Sequence, residues 1–419
     1  MGAEDAAATA AEGLVVFSPL PPTRSGIADY AAELLPALGR RVPVTAVVAS
    51  GRDLRPVEGV DVIAEVEYRR RSALHELPHL YQLGNNLLGA HVYRAALRRP
   101  GVVLLHDPVL HDLVEALTLG RGDWVGYEAV LAENYGPAGR RLARLRRLGF
   151  FSPAQRRLLP LHRHVLDRSR GVLVHSRFAA SRLEVAAGVP VRVIPHHVPP
   201  AATAAWDGLD RATARARLGL PAGDEPLLLS MGFVTRAKGL DVALRALARL
   251  KNEGAACRLV VAGAEDGSVE LARLVGEAEV GDRVHALGWV PEADFFAALR
   301  AADLLLLLRP PLSGESSGVL ARALGAGLPA LAYDAGPSAE YPDRFVEKVP
   351  FDADDPGGVA SAIKRLLDNP ADLRARGAEA RAALCRDHTP DASAGRILAA
   401  VREWTAARML HTSDISSAA

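Results

Sequence analysis

Hydrophobic residues along the chain fall into short apolar runs that alternate with longer segments of helical periodicity. In the first half the runs are short and rich in β-branched residues, which favours strands over helices. The predicted strands are Leu14–Phe17, Val42–Val48, Val102–Leu105, Val172–His175 and Val191–Ile194, and helices begin near Ile27, Asn86, Val109 and Arg177. This alternation predicts a parallel sheet with helices on both faces.

A second alternation follows Pro195 to Asp210, a Pro- and Ala-rich segment without periodicity that we interpret as a linker. Its predicted strands are Pro226–Ser230, Arg258–Ala262, Val284–Ala286, Leu304–Leu308 and Ala330–Tyr333, with helices from Gly239, Val269, Pro291, Ser317 and Pro356. The sequence therefore predicts an α/β protein of two doubly wound, Rossmann-like domains, residues 13–198 and 199–390, facing across a cleft. The last helical pattern, in 391–419, caps the second domain or crosses back to the first, and a disordered tail follows it.

Composition narrows the class of protein. The 419 residues exceed one ordinary core, 49% of them are apolar, and the net charge of +1 gives no bias toward nucleic acid. Two cysteines, Cys257 and Cys385, exclude a disulfide framework and suit a reducing cytosol. Residues 1–12 lack the regions of a signal peptide and are expected to form a disordered leader, and no stretch approaches the roughly 20 apolar residues of a membrane span. We expect a cytoplasmic protein, and the Ala, Arg and Gly bias suggests a GC-rich bacterial genome.

The segment from Arg309 to Pro329 carries the strongest functional pattern. A leucine-only strand leads into a polar turn, in which Glu315 precedes Ser316, Ser317 and Gly318, and a helix follows. Backbone N–H groups at a helix start lack intrahelical partners and lie at the positive end of the helix dipole, so they suit a diphosphate. The alternative is that one of the two serines simply caps the helix.

Two more strand ends of the second domain carry candidate ligand contacts. The loop from Ser230 to Asp241 contains Gly232, Arg236 and Lys238, and its two cations suit a diphosphate. Lysines are scarce here, because only Lys238, Lys251, Lys348 and Lys364 occur among 50 basic residues. The turn Gly288-Trp289-Val290 could grip a nucleotide base. A solvated basic loop and an ordinary turn are the alternatives.

The first domain offers polar strand ends instead. His106 and Asp107 directly follow a predicted strand, where an imidazole can bond sugar hydroxyls or move protons. Asn85 and His91 suit a hydroxyl-rich acceptor, although Asn85 or Asn86 could equally cap a helix and a lone histidine can be structural. Gly26 ends a proline-rich loop and permits close approach of a ligand, although such loops are often plain turns.

Two charged segments invite other interpretations. From Gly136 to Arg170 there are ten arginines against one acid, Asp167, with an apolar side, which suits an anionic membrane or acceptor, or else a solvated helix face. The acidic run Asp352–Asp355 precedes Pro356 at a predicted helix start, where acids are expected because of the helix dipole, so we reject a metal site there.

Together these motifs resemble the GT4 family of retaining glycosyltransferases, which have the GT-B fold. The resemblance includes the loop ending at Gly26, the His106 strand end, Val174-His-Ser176, Ile194-Pro-His-His-Val198, Gly232–Gly239, the Gly288 turn and the Glu315 turn. It implies a nucleotide-sugar donor on the second domain, with Arg236, Lys238 and the amides of 316–318 at the diphosphate and Glu315 at the transferred sugar. His106 would face that sugar and a hydroxylated acceptor would bind the first domain. No metal or other cofactor is implied.

Two positions depart from the family pattern. Phe233 occupies the place of a usual arginine, and the usual second glutamate, which holds the ribose, is Arg322 or Ala323 depending on the alignment. Arg322 could instead contact a different donor, such as a phosphorylated sugar. The alternatives to a transferase are a GT-B sugar-nucleotide epimerase and a non-catalytic sugar-nucleotide-binding module.

Overall fold

The computed structural model describes residues 13–50, 54–183, 185, 188–310, 314–351 and 355–416. The contacts within the chain divide it into two compact units. The first contains Met1–Pro195, Leu312–Ser316 and Pro390–Ala419, and the second contains His196–Pro311 and Ser317–Thr389. The predicted leader lies outside the described residues, as do 352–354 of the acidic run.

The first unit is built on a parallel sheet of seven strands in the order β3-β2-β1-β4-β5-β6-β7. The strands are β1 Leu14–Phe17, β2 Val44–Val48, β3 Val60–Ala64, β4 His79–Leu83, β5 Val102–Leu105, β6 Gly171–Val174 and β7 Val191–Val193. Its helices are α1 Gly26–Gly39, α2 Glu65–Tyr68, α3 Ala90–Arg98, α4 His111–Leu117, α5 Trp124–Arg147, α6 Gln155–Leu158, α7 Arg163–Leu166 and α8 Arg177–Ser181. The central strands are buried on both faces, which explains their uninterrupted apolar sequences.

The second unit has a parallel sheet of six strands in the order β10-β9-β8-β11-β12-β13. The strands are β8 Leu227–Met231, β9 Arg258–Ala262, β10 Val284–Gly288, β11 Leu304–Leu307, β12 Ala330–Tyr333 and β13 Val346–Val349. Its helices are α9 Pro200–Gly208, α10 Arg211–Arg217, α11 Leu240–Asn252, α12 Leu271–Glu277, α13 Glu292–Ala301, α14 Gly318–Gly325, α15 Pro356–Leu367 and α16 Pro370–Asp387. Two apolar cores, one on each face of the sheet, complete the unit.

The last helix, α17 Pro390–Ser416, belongs to the first unit. Its Ile397 and Trp404 share a core with Leu34 and Leu38 of α1 and cover one face of the first sheet. Gly171 makes this packing possible, because a Cβ atom there would lie 2.1 Å from Cε3 of Trp404. The opposite face is covered by a core that includes residues of α3, α4, α5 and α7.

The prediction of two doubly wound parallel sheets is confirmed, and the structure corrects the predicted linker. Within Pro195 to Asp210, Pro200 opens α9, and Ala202 on that helix is fully buried. Among the side chains that the structure describes on this helix, only the small Ala202 is buried, so the sequence shows no hydrophobic periodicity there. Strands β3, β4 and β13 were also absent from the predicted strands, because polar or charged residues interrupt their apolar pattern. In the described part of the chain, no helix is long and apolar enough to cross a bilayer.

Candidate functional site at the switch points of the two sheets

Each sheet contains a switch point, where the chain reverses the direction in which it adds strands. In the first unit this point lies between β1 and β4, and in the second between β8 and β11. Loops leaving two such strands diverge, so a crevice opens at their carboxyl ends and ligands bind there. The loops ending at Gly26 and beginning at Gly84 flank the first switch point, and those after Met231 and Leu307 flank the second.

In the second unit, the loop after β8 folds back over its own strand end. Gly232 adopts φ +96°, and a Cβ atom on it would lie 2.8 Å from Nζ of Lys238 and 3.8 Å from Val319 at the start of α14. The Lys238 ammonium donates a hydrogen bond of 2.8 Å to the carbonyl oxygen of Met231. Gly239, at φ +63°, packs against the carbonyl of Leu308, 2.0 Å from where its Cβ would be. The loop therefore fixes a lysine at the switch point, next to a helix start.

The other cation of this loop is directed elsewhere. Arg236 is exposed, and its Nε donates a hydrogen bond of 3.3 Å to the carbonyl oxygen of Ser268. It lines a cavity of about 300 Å³ together with Ser268, Asp241 and Arg273. The contacts that place Lys238 beside Gly232 and Val319 are therefore not shared by Arg236, although the sequence prediction treated the two residues as one charge pair.

Helix α14 begins directly at this switch point. Ser317 is its N-cap, and the Ser317 hydroxyl accepts from the Leu320 amide at 3.2 Å, while the Ser317 carbonyl accepts from Ala321. The capping alternative is therefore correct for Ser317. Because the helix uses the amides of Leu320 and Ala321, those of Gly318 and Val319 lie at its open positive end.

Arg322 lies buried along the same helix and reaches back toward its first turn. Its Nη1 donates a hydrogen bond of 3.4 Å to the carbonyl oxygen of Gly318, and a Cβ atom on Gly318 would lie 2.9 Å from that Nη1 and 3.1 Å from Nε2 of His196. A guanidinium at the positive end of a helix adds to the positive potential there instead of offsetting it. Lys238, Arg322 and the start of α14 thus give the second unit a local preference for an anion.

The residues just before the cap group with the first unit. A Cβ atom on Gly314, which has φ +83°, would lie 3.3 Å from Phe178 and 3.5 Å from Pro108. Glu315 and Ser316 follow it and are assigned to the same unit, whereas Ser317 and Gly318 belong to the second. The predicted turn therefore divides after Ser316, with the residues before that point in the first unit and those after it in the second.

The predicted base-binding turn follows β10 at the edge of the second sheet. Gly288 has φ +65°, and a Cβ atom there would meet nothing within 4 Å. Trp289 is 50% exposed, while Val290 packs against the core. An exposed indole held by a partly buried neighbour can stack on a flat ring.

In the first unit, His106 is the centre of a chain of hydrogen bonds. Its Nε2 lies 3.1 Å from Oε1 of Gln82, and its Nδ1 lies 3.1 Å from Nε2 of His175. Nδ1 of His175 lies 3.0 Å from the carbonyl oxygen of Ile194. The ring of Tyr30 packs edge-on against both imidazoles, at centroid distances of 4.9 and 5.1 Å. His106 is therefore held within the unit through both ring nitrogens.

Asp107 and Asn85 brace the neighbouring strand end. Oδ2 of Asp107 accepts from the Asn85 backbone amide at 2.8 Å. The Asn85 side chain donates to Asp112 at 2.8 Å and accepts from the Leu113 amide at 3.0 Å. Asn86 caps the next turn, as one alternative predicted, by accepting from Leu88. These contacts give a preformed polar surface that contains two carboxylates, those of Asp107 and Asp112.

Gly26 and His91 differ in their access to ligand. A Cβ atom on Gly26 would meet nothing within 4 Å, whereas one on Gly84 would lie 2.2 Å from Ile27, so the loop packs closely just beyond an open position. His91 is only 4% exposed, and burial lowers the pKa of its imidazole against the opposing effect of the Ser18 carbonyl. The structure thus leaves space at Gly26 and places His91 inside the unit.

The sequence interpretation gave no role to Gln82, His175 or Tyr30. His175 follows β6 directly, as His106 follows β5, so its position at a strand end was a readable signal. Gln82 lies within β4 and Tyr30 within α1, and neither carries such a signal. In the described part of the chain, no three His, Cys, Asp or Glu side chains converge as metal ligands would.

The arginine-rich stretch of the first unit finds many of its counter-charges in other elements. Arg146 and Arg156 both pair with Glu115 of α4, at 2.5 and 2.8 Å, and Arg157 pairs with Asp112 at 2.9 Å. Exposed apolar side chains accompany it, namely Leu145, Leu148, Phe150 and Leu158. The local positive charge is thus smaller than the sequence of the stretch alone suggests.

Comparisons with known structures identify the fold of the two units. The two parallel α/β units have the GT-B fold of glycosyltransferases: sucrose-phosphate synthase (tll1590) from Thermosynechococcus elongatus has a TM-score of 0.66 at 18% identity, over 94% of this chain and 100% of that one. Anabaena Alr3699/HepE, solved in complex with UDP-glucose, has a TM-score of 0.61 at 15% identity over the same shares.

The family match lies largely in the second unit. Residues 210–383 match the family described as Glycosyl transferases group 1. A 2-deoxystreptamine glucosyltransferase from Streptomyces kanamyceticus is 28% identical over 219 residues, which cover 51% of this chain and 56% of that protein. The chain spans about half the length of the curated relatives it matches.

Proposed function

We propose that the chain is a retaining glycosyltransferase of the GT4 type, which moves a sugar from a nucleoside-diphosphate donor to a hydroxyl group. The observation that carries the proposal is the Lys238 ammonium, held 2.8 Å from the Met231 carbonyl beside Gly232 and the start of α14. A lysine, a glycine that allows close approach and an open helix start together are the elements of a diphosphate site. The family match over 210–383 covers this same region.

The donor would be held mainly by the second unit. Lys238 and the amides of Gly318 and Val319 would bind the diphosphate, and the exposed Trp289 would stack on the base. Arg322 would add a second cation, and Glu315 would bond the transferred sugar. Because these groups offset the charge that develops on the leaving diphosphate, the reaction would proceed without a metal ion.

The first unit would bind the acceptor with His106 and Asp107, and the acceptor would be a glycan, a lipid-linked sugar or a small molecule rich in hydroxyls. The bond from the anomeric carbon to the leaving phosphate oxygen would break as the acceptor oxygen bonds to that carbon from the same face. The acceptor proton would pass to the departing phosphate oxygen. The anomeric configuration would therefore be kept.

A donor screen followed by product analysis tests the proposal. Purified full-length protein would be mixed with UDP-, GDP- and ADP-sugars while its melting temperature is recorded, because a ligand that binds only the folded state raises that temperature. We expect one donor to raise it and to be hydrolysed slowly without acceptor. If none binds, the proposal fails. An inverted anomeric signal in the NMR spectrum of the product would contradict retention alone.

We also propose that the protein binds transiently to an anionic membrane through the exposed side chains of Arg140, Arg141, Leu148 and Phe150. Apolar side chains next to cations suit the interface of such a bilayer. Flotation with vesicles that contain phosphatidylglycerol would test it, with pure phosphatidylcholine vesicles as the control. Equal recovery with both kinds of vesicle, or with neither, would contradict the contact.

A further inference from the structure

The His106 hydrogen-bond chain constrains where its protons lie. Nδ1 of His175 faces the Ile194 carbonyl oxygen at 3.0 Å, and a carbonyl oxygen can only accept. His175 therefore carries a hydrogen on Nδ1. If the ring is neutral, its Nε2 must accept, so the contact of 3.1 Å with His106 requires the hydrogen of His106 to be on Nδ1.

Gln82 lies at the other end of this hydrogen-bond chain, and the same reasoning applies to its contact with His106. With Nδ1 of a neutral His106 protonated, its Nε2 is an acceptor and needs a donor at 3.1 Å. The amide nitrogen of Gln82 is buried and makes no hydrogen bond, while its oxygen faces His106. A half-turn of the amide, whose two ends have nearly the same shape, places the NH₂ group on His106 and gives Nε2 of His106 its donor.

We propose that His175 is a positioning residue, which fixes the tautomer and ring plane of His106 so that His106 Nε2 is held as a hydrogen-bond acceptor. A sugar hydroxyl at this strand end would then donate to Nε2, taking the place of the Gln82 amide. Both imidazoles are further constrained by the edge-on contacts with Tyr30. The kinetic consequence of this inference rests on the proposed transferase function, whereas the tautomer itself does not.

The tautomer is read directly by nitrogen-15 NMR of imidazole-labelled full-length protein. We expect His106 to give a protonated Nδ1 and an unprotonated Nε2 in the native protein. In His175→Phe the fixed tautomer should be lost, and in His175→Gln it should be retained, because the amide oxygen can accept from Nδ1 of His106. His79→Gln is the matched control, since His79 is also a buried histidine of the first unit but bonds Tyr68 instead.

Kinetics supply the second readout once a donor is known. We expect His175→Phe to lower kcat by about five- to tenfold with the donor KM unchanged within about twofold, and His175→Gln to recover most of the loss. A protonated Nε2 on native His106, or a His106 signal unaffected by His175→Phe, would overturn the inference. Because the spectrum needs no ligand, failure to find a donor would count against the proposed function alone. Circular dichroism of the two variants would separate misfolding from a changed tautomer, and His175→Gln keeps the test valid if His175→Phe does not fold.

Discussion

The two units of this protein have the same kind of doubly wound parallel sheet, yet their switch points are built from different chemistry. In the second unit the groups are a glycine, a helix start and two cations, Lys238 and Arg322. In the first unit they are imidazoles, amides and the carboxylate of Asp107. One topology thus carries a group of residues suited to negative charge in one unit and a group suited to hydroxyl groups in the other.

This difference has a physical reason. A diphosphate is large and doubly charged, so it needs close approach to backbone amides and a positive potential, which glycines and a helix start supply. Hydroxyl groups are neutral and directional, so they need donors and acceptors whose orientation is fixed by neighbours. The topology places both sites, and the residues at the strand ends decide what each can bind.

The largest expected effect is a loss of folding stability in acid, which should be greater in the first unit than in the second. Burial lowers the pKa of His79 and of His164, both in the first unit, to about 4. In the unfolded chain their pKa is about 6.5. Between these values the unfolded state binds more protons than the folded state, so stability falls as the pH is lowered from about 6.5 toward 4. The loss should reach roughly 3 kcal/mol for each histidine.

Hydrogen exchange with peptide mass spectrometry, corrected for the intrinsic rate at each pH, would measure this loss. We expect peptides of the first sheet to lose protection at a higher pH than those of the second. A variant with His79→Gln and His164→Gln should narrow the gap, because neither replacement takes up a proton. Simultaneous loss of protection in both sheets would remove this contrast between the units.

The next effect is on donor binding at the second switch point. Lys238→Ala removes the ammonium beside α14, and a hydrogen bond to a charged group contributes about 1.5–3 kcal/mol, so we expect a loss of donor affinity of roughly 10- to 100-fold. Titration calorimetry with the donor found in the screen would measure it. Lys251→Ala is the matched control, because Lys251 bonds Glu279 and Asp282 elsewhere in the unit. An unchanged affinity in Lys238→Ala would refute the diphosphate site.

A smaller effect is expected at the first switch point. Asp107→Ala leaves the Asn85 amide without its acceptor, which should raise the acceptor KM by about fivefold while donor affinity stays the same. Steady-state kinetics with varied acceptor would show it. Asp107→Asn keeps an acceptor oxygen in place and should restore most of the binding. If the donor affinity fell instead, the division of roles between the units would be wrong.

The smallest effect should come from Arg236→Ala. The Arg236 side chain donates to the Ser268 carbonyl oxygen and lines a cavity beside it, and it does not share the contacts of Lys238. We therefore expect donor affinity to fall by less than about threefold. Calorimetry of Arg236→Ala beside Lys238→Ala gives the comparison. Equal losses in the two variants would restore the sequence interpretation, in which both cations bind the diphosphate.

The sequence predicted where along the chain many of the site residues lie, but it did not predict which groups their side chains contact. The sequence placed Lys238, His106 and the start of α14 at strand ends, because an apolar run followed by polar or glycine residues marks where a strand stops. It did not separate Arg236 from Lys238, since loop conformation depends on packing against β9 and β11. It also missed α9, where a single small buried residue, Ala202, leaves no hydrophobic pattern.

The sequence by itself determined the two parallel sheets, because the period of its apolar residues and the order of strands and helices are local properties that leave few topologies. The tertiary structure alone decided which side chains meet. His106 and His175 are 69 positions apart, and only the pairing of β5 with β6 makes them neighbours. Likewise, the closing of the β8 loop against β11 decides that Lys238 lies over Gly232. Contacts between distant residues depend on how elements pack, and no local pattern along the chain encodes that packing.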